Sequence, residues 1–180
     1  MGWRDWFKRN TDDGRTRAWG EAWTQAVAAP DRDGAVRLRE QLDALALSED
    51  ETELEREMLD ALDALVELSS STEREGPPAI ETGHRAVGNE PCYFSAPASL
   101  PDDPAQPSGT LLLTRTRAIF LGGGRSLTIP WHSVGECLQQ HRDLLLVRVD
   151  RQDLSRLRCN SFTDALRAAF LARHLSRRRV

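Results

Sequence analysis

The sequence predicts an α+β protein, in which a small bundle of helices precedes a seven-stranded antiparallel sheet. That sheet is expected to be strongly bent or a partly open barrel, capped by a C-terminal helix. Apolar residues recur every three or four positions in the first half of the chain and in short alternating runs after it. The net charge changes at the same place, from −9 over residues 1–76 to +5 over residues 77–180. These coincident changes predict two structural units within the 180 residues.

Residues 1–68 are predicted to form the helical bundle. Pro30 ends the first amphipathic stretch, and either Asp31 or Asp33 is expected to cap the second helix. Ser48 and Glu51 have the spacing of a capping box at the start of the third helix. The apolar positions expected to face the bundle core are Trp19, Ala22, Trp23, Ala26, Val27, Ala35, Leu38, Leu42, Leu45, Leu54, Met58, Ala61, Leu62, Leu65 and Leu68.

Two shorter segments flank or interrupt these elements. Trp3, Trp6 and Phe7 have the spacing of an amphipathic turn, which we expect to dock onto the protein's own helices. Residues 69–78 read Ser-Ser-Ser-Thr-Glu-Arg-Glu-Gly-Pro-Pro, with no apolar period and with helix breakers at the end. We therefore expect a linker at 69–78 and a second domain over residues 79–180.

The second half is predicted to hold seven strands and one helix. Leu127, Ile129 and Trp131 alternate and so share one face of a strand. The predicted strands span residues 92–95, 110–113, 117–121, 126–131, 134–139, 144–149 and 155–159. Ser161 is the expected N-cap of the helix. The residues expected on its buried face are Phe162, Leu166, Ala169 and Phe170.

Three motifs in this half carry a family resemblance. They are Gly109-Thr-Leu-Leu-Leu-Thr114-Arg-Thr-Arg117-Ala-Ile-Phe120, then Leu127-Thr-Ile129-Pro130-Trp131, then Phe162-Thr-Asp164-Ala165 before a helix. In this order and spacing, over about residues 88–176, they resemble a pleckstrin-homology-like domain of the GRAM or bacterial PH type. The resemblance implies a barrel of seven strands plus a helix. It also implies binding of phospholipid head groups, peptides or other proteins, with catalysis rare.

Arg115, Arg117 and Arg125 are the candidate residues for binding an anion or a lipid head group. Arginines at the mouth of a hairpin can clamp phosphate oxygens. The run from Arg115 resembles the later part of the basic motif of phosphoinositide-binding PH domains. The basic residue that such domains place about ten positions upstream is missing, because Asp102 and Asp103 occupy that region. We therefore favour a structural role for this element over lipid binding.

No catalytic residue, metal ligand or cofactor motif is assigned, and no metal or cofactor is expected. Cys92, Cys137 and Cys159 lack the Cys-x-x-Cys spacing of a zinc site and are expected to be small buried hydrophobes in strands. The glycine-rich run at residues 122–126 lacks the Gly-Lys-Ser/Thr ending of a P-loop and leads into a strand. It is expected to be a hairpin turn.

The sequence therefore predicts a non-enzymatic interaction module that binds a protein or peptide partner. The alternative is peripheral binding of anionic phospholipid head groups, and a small hydrolase with an unrecognised site is a remote third. Nucleic acid is not expected as a partner at a sequence pI of about 5.6. The polar N-terminus and the absence of any apolar run of roughly 20 residues predict a cytoplasmic protein, which the lipid alternative would place at the inner face of the membrane. The arginine-rich, lysine-poor composition is typical of a GC-rich bacterial genome.

Overall fold

The computed structural model describes residues 14–149 and 153–177. The chain divides into two compact units between Ser70 and Ser71. Within the described ranges, no helix is both long enough and apolar enough to cross a membrane. The amphipathic turn predicted at Trp3, Trp6 and Phe7 lies outside the described residues.

Three helices form the first unit. They are α1 (Gly14–Ala28), α2 (Arg32–Asp43) and α3 (Glu49–Glu75), the last of which continues past the boundary between the units. Two buried tryptophans tie the helices together. The indole N–H of Trp19 donates to the carbonyl oxygen of Leu38 at 2.9 Å, and that of Trp23 donates to the carbonyl oxygen of Met58 at 3.5 Å.

Most of the predicted core positions of this unit are buried. The buried members of the predicted set are Trp19, Trp23, Ala35, Leu38, Leu42, Met58, Ala61, Leu62, Leu65 and Leu68. The half-buried members are Ala22, Ala26, Val27, Leu45 and Leu54. The helical bundle predicted from the apolar period is therefore confirmed.

Side-chain caps fix where the helices begin. Of the two candidate caps of α2, Asp31 is the one used, since its Oδ1 accepts the N–H of Gly34 at 2.7 Å. Before α3, the backbone N–H of Ser48 donates to Glu51 Oε2 at 2.9 Å, as the capping box predicts. The hydroxyl of Ser48 donates to the same oxygen at 2.8 Å. These two hydrogen bonds from Ser48 lower the pKa of Glu51.

The prediction of a linker over residues 69–78 is wrong for its first part. Residues 69–75 are helical and complete α3, with Ser69 and Thr72 buried. Adding residues to an existing helix is far easier than nucleating one, so a polar run with no breaker simply extends it. The helix ends at Gly76, which has φ 83° and whose N–H donates to the carbonyl oxygen of Thr72 at 2.9 Å.

The second unit is built on one antiparallel sheet. Its strands are β1 (Cys92–Ser99), β2 (Ser108–Thr114), β3 (Arg117–Gly122), β4 (Arg125–Pro130), β5 (Val134–Gln140), β6 (Asp143–Arg148) and β7 (Leu154–Cys159). They lie in the order β4-β3-β2-β1-β7-β6-β5. All seven predicted strands are present, and the α+β fold class is confirmed. The sheet is open, because β4 and β5 lie at its two edges and do not pair with each other.

The C-terminal helix, α4 (Phe162–Arg177), contacts β5, β6, β7, β1 and β2. The predicted N-cap is confirmed, since Ser161 Oγ accepts the N–H of Asp164 at 3.1 Å. One predicted core residue is misplaced: Phe170 is half-buried, whereas Leu171 is buried. Positions four apart drift by about 40° around a helix of 3.6 residues per turn, which carries residue 170 to the margin of the buried face.

A segment that the sequence analysis left unassigned covers part of the other face of the sheet, at β1, β2 and β3. Val87 lies in a 3₁₀ turn (Arg85–Val87) and belongs to a buried cluster with Cys92, Leu112 and Ile119. The N–H of Ile80 donates to the carbonyl oxygen of Cys92 at 2.7 Å and ties the start of the segment to β1. This second apolar layer explains why consecutive leucines of β2 are all buried, although they point to opposite faces.

Candidate functional site

A cleft in the second unit lies where the loop after β1, the start of β4 and the start of β7 come together. Its volume is about 330 Å³. The lining residues are Leu100, Asp102, Asp103, Arg125, Ser126, Leu127, Leu154, Ser155 and Arg156. Leu154 is 52% exposed, so apolar surface at this cleft is open to solvent. The cleft can therefore accept an apolar group flanked by polar ones.

The charged side chains of the cleft neutralise one another. Arg125 Nε lies 3.6 Å from Asp103 Oδ2, and Arg156 Nη1 lies 3.8 Å from Asp102 Oδ1. Two arginines thus face two aspartates, which leaves no excess of positive charge at the mouth. Anionic ligands would have to compete with these carboxylates for the guanidinium groups.

Below the cleft, a buried carboxylate anchors β6 to β7. The side chain of Asp143 is only 4% exposed. Arg156 Nε donates to its Oδ2 at 2.6 Å, and Arg158 Nε donates to its Oδ1 at 2.8 Å. Burial by itself raises the pKa of Asp143, but the hydrogen bonds and charges of Arg158 and Arg156 outweigh burial and lower it. Arg156 is therefore held by a buried structural pair as well as by Asp102.

The three arginines considered as candidates for binding an anion do not converge on one site. In the β3–β4 hairpin, Arg117 lies opposite Pro130 and Arg125 lies opposite Gly122, at the other end. Five residue steps along β3, from 117 to 122, separate these ends by about 17 Å. Arg115 lies in the turn beside Arg117, is exposed, and forms no ion pair within the part of the chain that the structure describes. The structure thus brings Arg115 and Arg117 to one turn and places Arg125 at the cleft.

Arg117 takes part in a cluster that fixes the β2–β3 turn. Its Nη2 lies 2.8 Å from Glu90 Oε1. Glu90 also accepts the hydroxyls of Thr114 at 2.9 Å and Thr116 at 2.7 Å. Burial raises the pKa of Glu90, but these hydrogen bonds and the charge of Arg117 outweigh it and lower the pKa. The indole N–H of Trp131 donates to the carbonyl oxygen of Thr114 at 2.9 Å, which locks the same turn.

The predictions for the cysteines and the glycine-rich run are confirmed. Cys92, Cys137 and Cys159 are free, buried and located in β1, β5 and β7. Burial raises the pKa of all three thiols, that of Cys159 to about 12, so they stay protonated near neutral pH. Gly123 (φ 57°) and Gly124 (φ 73°) form a two-residue hairpin turn that requires positive φ at both positions.

The two edges of the sheet differ in how far their backbone groups are satisfied. At the β5 edge, Arg173 of α4 donates from Nε to the carbonyl oxygen of Cys137 at 3.1 Å. The same helix places Ser176 Oγ 3.7 Å from Cys137 Sγ. Helix α4 therefore covers the middle of β5.

The β4 edge is uncovered. The two-residue turn makes Gly122 and Arg125 a hydrogen-bonded pair, and such pairs alternate along an antiparallel ladder without a bulge. The N–H and C=O groups of Ser126 and Thr128 therefore point away from β3. Within the described residues, no backbone hydrogen bond reaches them. Sequence analysis could not find this edge, because the strand order depends on contacts between distant residues.

These features define an α+β protein with a helical unit followed by an open seven-stranded sheet. A helix covers the middle of one edge, the other edge is free, and a cleft lies beside the free edge. No family model matches the sequence, and no curated protein matches it. Among solved structures, the chain is similar to the C-terminal domain of an unknown protein from Leishmania infantum, with a TM-score of 0.43 and 12% identity. That similarity covers 50% of this chain and 88% of the other.

Proposed function

We propose that the protein is a non-enzymatic, cytoplasmic interaction module whose second unit is a PH-like domain of the GRAM type. It binds a protein or peptide partner by adding an extended segment to the free edge of β4. The observation that carries this proposal is the difference between the two edges. Helix α4 covers β5 through Arg173, whereas the outward backbone groups of Ser126 and Thr128 are open.

An added strand would find both of its requirements at this edge. Backbone hydrogen bonds to Ser126 and Thr128 supply affinity that does not depend on the partner's side chains. Alternate side chains of the partner would reach the cleft, where Leu127 and Leu154 offer apolar contact. Specificity would then come from the side chain that fits between these leucines and the paired charges around them.

The PH-like part of the proposal is supported by where the resembling motifs lie. The first motif supplies β2 and β3, which form a hairpin. The second spans β4 and the turn after it, and the third opens α4 behind the Ser161 cap. The resemblance implies a barrel of seven strands plus a helix, and the second unit has seven antiparallel strands followed by one helix, in an open sheet.

Binding of anionic lipid head groups is less well supported. Arg117 is paired with Glu90, and Arg125 lies near Asp103, which leaves Arg115 as the one arginine of the three without an ion pair in the described residues. A single exposed arginine contributes only about 1 kcal/mol to attraction by an anionic membrane. Vesicle co-sedimentation at low salt would show binding if this alternative were correct.

A peptide-display selection on the full chain tests the proposal, with Thr128→Pro as the discriminating variant. Proline removes the outward N–H of residue 128 and is compatible with an edge position, because that N–H does not bond to β3. Thr128→Val is the matched control, since it keeps the N–H and nearly the same shape. We expect selected peptides to bind the wild type and Thr128→Val but to lose binding to Thr128→Pro. Failure to select any peptide, or equal binding to all three chains, would refute the proposal.

A further inference from the structure

We infer that the free β4 edge also pairs with β4 of a second copy, so that two chains form a symmetric dimer through one antiparallel strand pair centred on Leu127. This inference uses the edge named in the proposed function and rests on that proposal for its location. It adds a defined partner, namely the same chain.

A two-fold axis at Leu127 brings the outward backbone groups of two β4 strands opposite each other. With a two-fold axis at Leu127, Ser126 of one copy lies opposite Thr128 of the other, and the reverse holds on the opposite side of the axis. These two positions are the ones whose N–H and C=O groups point away from β3. Each such pair exchanges two hydrogen bonds, so the dimer forms four and satisfies every outward backbone group of both residues.

The charges along the strand do not oppose this pairing. Residues 126–130 read Ser-Leu-Thr-Ile-Pro and carry no charge, whereas exposed edge strands are commonly protected by charged side chains. Arg125, the one charged residue of β4, would lie opposite Ile129 of the second copy. The two Arg125 side chains would then be about 13 Å apart along the strands, which keeps their mutual repulsion weak.

The side chains on the two faces also suit the pairing. Leu127 is half-buried and lines the cleft, and in the dimer it meets Leu127 of the second copy in a non-hydrogen-bonded pair, where side chains approach most closely. Ser126 and Thr128, both exposed, meet on the other face. Pro130 has no N–H and limits the pairing to this short segment. A weak, reversible dimer follows from so short a contact.

Sedimentation of the full chain over a wide concentration range tests the inference. We expect the wild type and Thr128→Val to shift from monomer to dimer as concentration rises, and Thr128→Pro to remain monomeric. Equal self-association of Thr128→Pro and wild type, or a wild type that stays monomeric throughout, would overturn the inference.

A crosslink tests the register independently. Cα atoms across a non-hydrogen-bonded pair are about 4.5 Å apart, within the range that a disulfide spans. Leu127→Cys should therefore give a covalent dimer on mild oxidation. Ser126→Cys is the control and should not, because two copies of residue 126 would be about 8 Å apart in this register. The native cysteines are buried and should not interfere. Crosslinking of Ser126→Cys but not of Leu127→Cys would refute the register.

These outcomes separate the inference from the proposed function. If peptides bind at β4 while the chain stays monomeric and Leu127→Cys does not crosslink, the dimer is refuted and the proposed binding of a separate partner is supported. If the chain dimerises through β4 but no peptide is selected, the dimer stands and the binding of a separate partner is refuted.

Discussion

Replacing Asp143 by Asn is the strongest test of how the second unit is held together. The substitution keeps the shape of the side chain but removes the charge that pairs with Arg156 and Arg158. Removing one partner of a buried ion pair costs about 3–5 kcal/mol. Because Arg156 and Arg158 are 33% and 49% exposed, water can solvate the freed guanidinium groups in part. We therefore expect a loss of about 3 kcal/mol in the free energy of unfolding, at the lower end of that range.

The pH dependence of this loss has a definite sign. The folded state lowers the pKa of Asp143, so its carboxylate stabilises the fold above its unfolded pKa of about 3.9. That contribution is lost as the pH falls through the lower, folded pKa. The difference between wild type and Asp143→Asn should therefore be full at neutral pH and shrink in the acid range.

Hydrogen exchange of the β6 and β7 amides measures this effect within the second unit. The control is Asp102→Asn, which touches the same Arg156, but at 3.8 Å and with a side chain that is 61% exposed. An exposed pair of this kind is worth less than about 1 kcal/mol. A change of less than about 1 kcal/mol for Asp143→Asn at neutral pH, or an equal change at every pH, would show that the pair does not anchor the sheet.

Three further substitutions test the core, a cap and a buried acid. Leu166→Ala should lower the free energy of unfolding by about 3 kcal/mol in the same exchange experiment, because Leu166 is buried. Phe170→Ala should lower it by less, because Phe170 is only half-buried, and a larger loss for Phe170→Ala would contradict this. Asp31→Ala should destabilise the first unit by about 1 kcal/mol in urea unfolding, while Asp33→Ala, which does not remove the cap, should cost clearly less. Burial raises the pKa of Glu55, so the charged form destabilises the fold as the pH rises through the folded value. Glu55→Gln should accordingly raise the urea midpoint at neutral pH and leave it unchanged in acid, and an unchanged midpoint at both would contradict this.

Most of the secondary structure could be predicted because it follows from local patterns. The alternation through Leu127 and Ile129 defines a strand wherever that strand sits in the sheet. The Ser161 cap likewise depends on residues three apart in sequence. Phe170 continues the row of Phe162 and Leu166, but the buried face is centred on the other side of that row and includes Leu171 instead.

The parts that could not be predicted depend on contacts between distant residues. Val87 is buried because it meets β1, β2 and β3, and nothing in its own neighbourhood indicates a second apolar layer. The candidate site shows the same limit. Arg117 belongs to a local motif, whereas Glu90, which forms an ion pair with it, lies too far away in sequence to be part of that motif. The cleft arises where three separate chain segments meet, so sequence order alone does not bring Leu127 and Leu154 together.

The contact between Arg173 and β5 also limits how large an assembly can become. A filament grows by strand addition when every subunit that joins adds a free strand edge to which another subunit can bind. Here the outer edge of each subunit joined through β4 would be a β5 strand whose central carbonyl is already occupied by α4. Addition of a further strand at β5 therefore meets an occupied carbonyl at the centre of that edge, which opposes growth of a fibre from the uncharged segment 126–130.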